Sequence, residues 1–152
     1  MMQKKLQVEA IQYGSVIDHI PVQQGTKILK FFKFTQTNEK ITVGLNLPTN
    51  SSKRKDLIKI ENTFISDEQA NQLALFAPNA TINQIKDFKV INKFKVQLPS
   101  AFIGVLSCPN SNCISHNEPV DTKFYVNNNS ALKLKCHYCE KTFIPSFFNE
   151  LD

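Results

Sequence analysis

Four cysteines in the last third of the chain carry the clearest chemical signal. Cys108 and Cys113 form one close pair, C-x4-C, and Cys136 and Cys139 form a second pair, C-x2-C, after a longer connection. Two close pairs predict two tight turns, or knuckles, whose four thiolates hold one tetrahedral metal ion. Zinc is the first choice, because thiolate sulfur is a soft ligand and a site closed by four protein ligands suits a structural ion without redox chemistry.

Other readings of the cysteines remain open at this point: two disulfides, buried free thiols or an iron–sulfur cluster. His116 and His137 lie close enough in sequence to replace a thiolate, but with four cysteines present we expect them beside the site or on the surface. The first residues lack the apolar core of a signal peptide, so we expect the cytosol, where disulfides are rare.

Basic residues form a second candidate site. If the fold brings them together, they would bind a polyphosphate as point charges, although a solvated charged surface explains them equally well. Asp18, which is followed by His19, could accept ribose hydroxyls or cap the helix that we expect next. The basic residues are Lys53, Arg54, Lys55, Lys59, Lys93 and Lys95.

No catalytic motif is present. The chain has no G-x-S-x-G, Walker A or H-E-x-x-H pattern, and it contains only 4 glycines, so a glycine-rich dinucleotide loop is absent as well. Its apolar runs, such as Leu73–Ala77, are far shorter than the about 20 residues that cross a bilayer. The net charge of +5 is mildly basic and favours anionic partners. We therefore predict a binding protein that is neither an enzyme nor a membrane protein.

Apolar periodicity predicts alternating strands and helices before the cysteines. The order is strand, helix, strand, strand, helix, strand, strand, which indicates a ferredoxin-like α+β sandwich (β-α-β-β-α-β plus an extra strand) with both helices on one face of the sheet. The second helix begins with a capping box, Ser66 with Gln69, and is expected to end at Pro78. The predicted strands are Leu6–Ala10, Ile41–Leu47, one containing Leu57–Ile60, Thr81–Ile85 and Phe88–Val96, and the first helix is expected to open at Pro21.

The remaining residues are too few for a self-sufficient hydrophobic core. A domain this small needs an additional stabilising cross-link such as a structural metal, and the cysteines could provide it. We therefore predict two domains, 1–98 and 99–152, the second a small all-β, zinc-ribbon-like domain that is folded by its metal.

Long motifs resemble the regulatory chain of aspartate carbamoyltransferase, the first committed enzyme of bacterial pyrimidine synthesis, and the resemblance covers nearly the whole chain. The motifs are Leu6-Gln7-Val8-Glu9-Ala10-Ile11, Val16-Ile17-Asp18-His19-Ile20-Pro21, Val43-Gly44-Leu45-Asn46-Leu47-Pro48, Arg54 to Phe64 and Cys108 to His116.

This resemblance implies a non-catalytic subunit whose N-terminal domain binds nucleotide effectors. CTP and UTP would inhibit the enzyme and ATP would activate it, and whether Mg²⁺ accompanies them is open. By resemblance, Asp18 falls where the family contacts ribose, His19 lies beside the triphosphate, and Lys59 and Lys93 make the main charged contacts. The implied nucleotide-binding residues are Val8, Glu9, Ala10, Ile11, Asp18, His19, Lys55, Lys59, Asn83, Ile85, Phe88, Val90 and Lys93.

The resemblance also implies one Zn²⁺ on the four cysteines and a contact with the catalytic chain through Asn110, Asn112 and Glu140. Three regulatory dimers, each a pair of identical chains, would bridge two catalytic trimers. Asn127-Asn128-Asn129 stands where better-known members carry arginines, so by this resemblance we expect some ionic contacts to the catalytic chain to be missing. The rival hypothesis is a zinc-ribbon protein that binds nucleic acid.

Overall fold

The computed structural model describes residues 10–150, and it describes side chains as far as Phe148. The chain divides into two compact units between Gln97 and Leu98. The predicted strand Leu6–Ala10 and the candidate residues Val8 and Glu9 fall outside the described residues, except for Ala10, which belongs to no helix or strand. No helix within residues 10–150 is both long and apolar enough to span a membrane.

Unit 1 is a five-stranded antiparallel sheet with two short helices. The strand order is β2-β3-β1-β4-β5, so each helix connects two strands that flank a third. This order confirms the predicted ferredoxin-like fold. The elements are β1 (Tyr13–Pro21), α1 (Gln24–Phe31), β2 (Ile41–Pro48), β3 (Arg54–Glu61), α2 (Asp67–Leu73), β4 (Thr81–Lys86) and β5 (Lys89–Lys95), with a 3-10 turn at Phe34–Gln36.

The start of the unit differs from the prediction in two ways. The described central strand is β1, and Pro21 is its last residue and does not open a helix. Helix α1 begins later, at Gln24, after Gln23 has taken a left-handed conformation that turns the chain. Asp18 consequently lies inside a strand, and its Oδ1 accepts the N–H of His19, so the helix-capping interpretation of Asp18 was wrong.

Strand β2 is where its apolar alternation predicted it, but the alternation does not translate into one buried face. The pairing of β2 with β3 shifts between Gly44 and Leu47, and Asn46 adopts a left-handed φ of 57°. A bulge of this kind adds a residue and redirects the side chains around it. Leu45 is therefore exposed, although its spacing from Val43 and Leu47 predicts a buried position.

Helix α2 begins as its capping box predicted. The Ser66 hydroxyl accepts the Gln69 N–H, and the Gln69 side chain accepts the Ser66 N–H. The helix ends at Leu73 and is followed by tight turns through Ala77, so it stops before Pro78 could end it. The predicted apolar stripe, formed by Ala70, Leu73, Ala74 and Ala77, is buried as expected.

Unit 2 is a small four-stranded antiparallel meander. Its strands follow the order β6-β7-β8-β9, and Phe102, Phe124, Leu134 and Phe148 are buried. Short 3-10 helices at Ile114–His116 and Pro145–Glu150 accompany the sheet. The strands are β6 (Ala101–Ile103), β7 (Lys123–Asn127), β8 (Lys133–Cys136) and β9 (Thr142–Phe143).

Replacing Ser66 tests the capping box. We expect Ser66→Ala to lower the free energy of unfolding of unit 1 by about 1 kcal/mol, because the Gln69 N–H at the start of α2 loses the hydroxyl that accepts its hydrogen bond. Chemical denaturation followed by far-ultraviolet circular dichroism measures this change, since both α-helices belong to unit 1. Ser66→Thr keeps the hydroxyl and is the matched control; an equal loss in both variants would contradict the capping role.

Candidate functional site

The four cysteines of unit 2 come together in one cluster. Their sulfur atoms all lie within 4.8 Å of one another; Cys108 Sγ is 3.8 Å from Cys139 Sγ, and Cys113 Sγ is 3.7 Å from Cys136 Sγ. A tetrahedral ion with metal–sulfur bonds of about 2.3 Å holds its ligands about 3.8 Å apart. All four cysteines are free thiols, so the disulfide alternative does not apply, and the cluster fits a four-coordinate metal ion.

Backbone N–H groups in the two knuckles point at these sulfur atoms. Asn110 donates to Cys108, and Lys141 donates to Cys139. The Asn110 side chain also donates to Cys139, so this one residue connects the two knuckles. Such donors stabilise thiolate charge and hold the ligands in place around a metal.

The four sulfur atoms are not equivalent. Burial raises the pKa of the Cys108 and Cys136 thiols. Burial acts in the same direction on Cys139, but the hydrogen bonds from Lys141 and Asn110 outweigh it and lower the pKa of Cys139 to about 7. Cys139 is also the one ligand candidate that is only half-buried, whereas Cys113 is 1% exposed. Cys139 is therefore the sulfur atom most open to solvent reagents.

Both nearby histidines make other contacts. His116 Nε2 lies 3.0 Å from the carbonyl oxygens of Cys108 and Asn110, and it thereby braces the first knuckle. His137 Nδ1 lies 2.7 Å from the Tyr125 hydroxyl. Among the described residues, the metal-sized cluster consists of cysteines alone.

The three predicted interface residues lie on the same two knuckles as the cysteines. Asn110 Oδ1 accepts the backbone N–H of Asn112, which is exposed. Glu140 is exposed, has a left-handed φ of 63° and donates its N–H to the Cys136 carbonyl. Any metal that holds the knuckles therefore also fixes the positions of these residues.

In unit 1, several predicted nucleotide-binding residues share one face of the sheet. Side chains alternate along a strand, and residues paired across strands point the same way. On β3, Lys55 and Lys59 therefore face away from the buried Ile58. The register then extends the Lys59 position across the sheet, because Lys59 pairs with Val16, Val16 with Asn83, and Asn83 with Lys93. We call the face that carries this row the open face.

An apolar cluster lies on the open face beside the lysines. Ile11, Val16, Leu57 and Ile85 are buried together, and the half-buried Leu47 packs against them. Asn83 adjoins this cluster, and its Oδ1 is buried without a hydrogen-bond partner among the described residues. A buried polar atom of this kind is costly unless something satisfies it, so it marks a position where a ligand donor would be stabilised.

A cavity of about 990 Å³ opens where β1 and β2 end and β3 begins. Of the predicted basic cluster, the consecutive residues Lys53, Arg54 and Lys55 line it, whereas Lys59, Lys93 and Lys95 do not. Asp18 forms an ion pair with Lys55, with 2.8 Å between Oδ1 and Nζ, and His19, another residue of the lining, contacts Thr81 Oγ1 at 3.0 Å.

The remaining candidate residues differ in position. Val90 pairs with Ile85 and therefore borders the apolar cluster on the open face, where it is 55% exposed. Ala10 is exposed, and Lys95 lines a separate cavity of about 410 Å³. Phe88 lies in the β4–β5 hairpin and is 64% exposed. Phe88 also has a left-handed φ of 65°, which is unusual for a large side chain and marks backbone strain.

Sequence reasoning named Ile11 and Ile85 of the apolar cluster but missed its other two buried members. Val16 and Leu57 received no role, although the Lys55-x-Leu57-x-Lys59 alternation on a strand predicts that Leu57 shares the face of the two lysines. Asn46 in the cavity lining was also missed, because the bulge that exposes it leaves no mark on the apolar pattern.

Comparison with known proteins identifies both units. Residues 6–97 match the family described as "Aspartate carbamoyltransferase regulatory chain, allosteric domain", and residues 101–145 match its "metal binding domain". The protein is thus of the class that joins an allosteric domain to a metal-binding domain in a non-catalytic subunit. The chain belongs to the aspartate carbamoyltransferase regulatory chain family.

Full-length relatives agree with this assignment. An aspartate carbamoyltransferase regulatory chain of Psychromonas ingrahamii is 78% identical over 99% of this chain and 100% of its own. Chains of the same name from Yersinia enterocolitica and Photobacterium profundum are 60% and 57% identical and cover 91% and 96% of this chain, with the same shares of their own lengths. The expected regulatory identity is confirmed.

The unequal exposure of the cysteines predicts the order of their chemical modification. In the metal-loaded protein at pH 7, we expect limiting iodoacetamide to label Cys139 first, because it is the most exposed of the four sulfur atoms. Peptide mass mapping over time measures the order. Metal-stripped, denatured protein is the control and should label all four cysteines at similar rates; equal rates in the native protein would refute the ranking.

Proposed function

We propose that the open face of unit 1 binds nucleoside triphosphates and that the chain thereby regulates aspartate carbamoyltransferase. CTP and UTP would act as inhibitors and ATP as an activator, as the resemblance implies, and the site of action would be the cytosol. Residues 1–98 would form the nucleotide-binding domain and residues 99–152 the domain that docks on the catalytic chain.

The observation that carries the nucleotide proposal is the row Lys59, Val16, Asn83 and Lys93 beside the apolar cluster. The apolar cluster offers a surface for a flat base, and the unpartnered Asn83 Oδ1 would accept a hydrogen bond from a ribose hydroxyl or an exocyclic amine. The lysines on either side supply positive charge for phosphates. Solvation would explain Lys93, which is exposed, but it would explain neither the buried Lys59 nor the buried acceptor between them.

Regulation requires more than binding. An effector shifts a quaternary equilibrium only if it binds the two states with different affinities. Couplings between such sites are typically 1–3 kcal/mol, which corresponds to about 5–150-fold in affinity. We expect CTP to change the activity of the assembled enzyme within this range while leaving free catalytic trimers unaffected.

We further propose Zn²⁺ as the ion that the four cysteines hold. Sulfur–sulfur distances of 3.7–3.8 Å fit zinc–thiolate geometry, and the set leaves no position open for a substrate. A bound ion would neutralise four thiolates that otherwise repel one another, and it would fold the knuckles that present Asn110, Asn112 and Glu140 to the catalytic chain. Three regulatory dimers would then bridge two catalytic trimers.

Lys93 and Lys89 test the nucleotide site as a pair. Lys93 lies in the row with Asn83, whereas Lys89, on the same strand, pairs with Lys86 at the hairpin. We expect Lys93→Gln to weaken CTP binding by about tenfold, since it removes one charge-assisted contact. Lys89→Gln should change the affinity less than twofold. Isothermal titration calorimetry on the zinc-loaded chain measures both, and equal losses would favour a diffuse charged surface over a site.

Metal removal tests the docking proposal. We expect the intact chain to contain one zinc per chain by elemental analysis and to form, with catalytic trimers, a single species with the mass of two trimers plus three regulatory dimers by light scattering. Stripping the metal should abolish assembly, because the knuckles lose their shared ligand, and adding Zn²⁺ back should restore it. Assembly that survives complete metal loss would contradict the proposal.

A further inference from the structure

Asp56 is a charged residue with almost no access to solvent, and it does not belong to the row of residues on the open face. It is 1% exposed and lies on β3 between Lys55 and Leu57, so its side chain points to the opposite face of the sheet. Its two oxygen atoms accept separate hydrogen bonds: Oδ2 from the Gly25 N–H and Oδ1 from the Asn46 N–H, both at 3.0 Å. A buried carboxylate is costly, so these two bonds fix where it can lie.

One bond holds the start of α1. Gly25 is the second residue of that helix, and the preceding Gln23 supplies no side-chain cap. Asp56 therefore supplies from β3 the acceptor that a local cap would normally provide, and its charge complements the helix dipole. A Cβ on Gly25 would come within 2.9 Å of Asp56 Oδ2, so glycine is what allows this close approach.

The other bond holds the bulge in β2. Asn46 lies in the irregular stretch between Gly44 and Leu47, in a left-handed conformation that is uncommon outside glycine. Its N–H is held by Asp56, and its carbonyl oxygen accepts a hydrogen bond of 2.9 Å from the Arg54 guanidinium. The backbone N–H and the carbonyl oxygen of Asn46 are therefore both hydrogen-bonded to side chains of β3.

These contacts lead to the 990 Å³ cavity. Asn46, Arg54 and Lys55 line it, whereas Asp56 does not. The carboxylate therefore acts on the lining indirectly: it holds the Asn46 N–H, and the Asn46 carbonyl oxygen in turn holds the Arg54 guanidinium.

We propose that Asp56 is a positioning residue, which through the Asn46 backbone places the Arg54 cation to receive the distal phosphates of the nucleotide. This inference rests on the proposed nucleotide function. It assigns to Asp56 no contact with the ligand. Its loss should therefore reduce the contribution of the β- and γ-phosphates and spare the contribution of the base and ribose.

The test compares a phosphate series. CMP, CDP and CTP are titrated into the full-length, metal-loaded chain and into Asp56→Asn, which keeps the side-chain shape but replaces one acceptor with a donor. We expect the gain in affinity from CMP to CTP to shrink by about tenfold in the variant, the size of one lost charged contact, with CMP affinity changed less than twofold. A role in stability alone would lower the active fraction for all three ligands and leave the ratios of their affinities unchanged.

A second variant keeps the question answerable if Asp56→Asn does not fold. Gly25→Ala displaces the carboxylate without removing its charge, and Thr26→Ala, one residue further along α1 at an exposed position, is its matched control. We expect Gly25→Ala to reduce the phosphate gain and Thr26→Ala to preserve it. Circular dichroism identifies the folded variants.

Two results would overturn the inference, and they differ from each other. If a folded Asp56→Asn or Gly25→Ala chain shows the wild-type gain from CMP to CTP, Asp56 has no positioning role, and the nucleotide proposal stands. If the wild-type chain itself binds none of the three nucleotides, the proposed function fails and the inference fails with it.

Discussion

The pairing register of β1 is the constraint on which unit 1 depends. Tyr13–Pro21 is the central strand of five, and it pairs with β3 on one side and β4 on the other. Because side chains alternate, a slip of one residue would exchange the two faces. The same register that buries Ile17 against Ile58 and Ile82 also places Val16 between Lys59 and Asn83. One pairing register therefore sets both the core on one face of the sheet and the candidate nucleotide site on the other. The core packing that stabilises this register also keeps the site residues aligned.

Unit 2 depends on a different interaction, the shared metal. Its strands are two to five residues long, and its buried aromatic core is small. The knuckles are stabilised by N–H donors that point at sulfur, by His116 against two carbonyl oxygens and by Asn110 between the two knuckles. All of these contacts are arranged around thiolates, which repel one another until a cation joins them. Under the proposed function, metal binding would for this reason also place the residues of the docking surface.

The two units differ in the chemistry that they offer to a ligand. The first has a rigid sheet whose open face combines apolar surface, an unsatisfied amide oxygen and lysines, which is chemistry suited to binding a nucleotide reversibly. The second has no open coordination position and no candidate catalytic group within its cysteine cluster. Around the cavity, buried Asp56 and the bulges of β1 and β2 hold backbone in conformations that a regular strand would not adopt. Such departures from regularity are common where a fold supports a binding site.

The sequence alone determined the features that rest on short-range chemistry: the paired cysteines, the Ser66–Gln69 capping box, the β4–β5 hairpin and the order of elements that specifies a ferredoxin-like sheet. Family motifs determined the regulatory identity. Tertiary structure decided what depends on pairing between distant strands. It placed Asp18 inside β1, exposed Leu45 through a bulge, and brought Lys59, Asn83 and Lys93 into one row. The reason is physical: periodicity predicts which face a residue takes within its own strand, whereas register and bulges arise only when strands with long intervening segments pair.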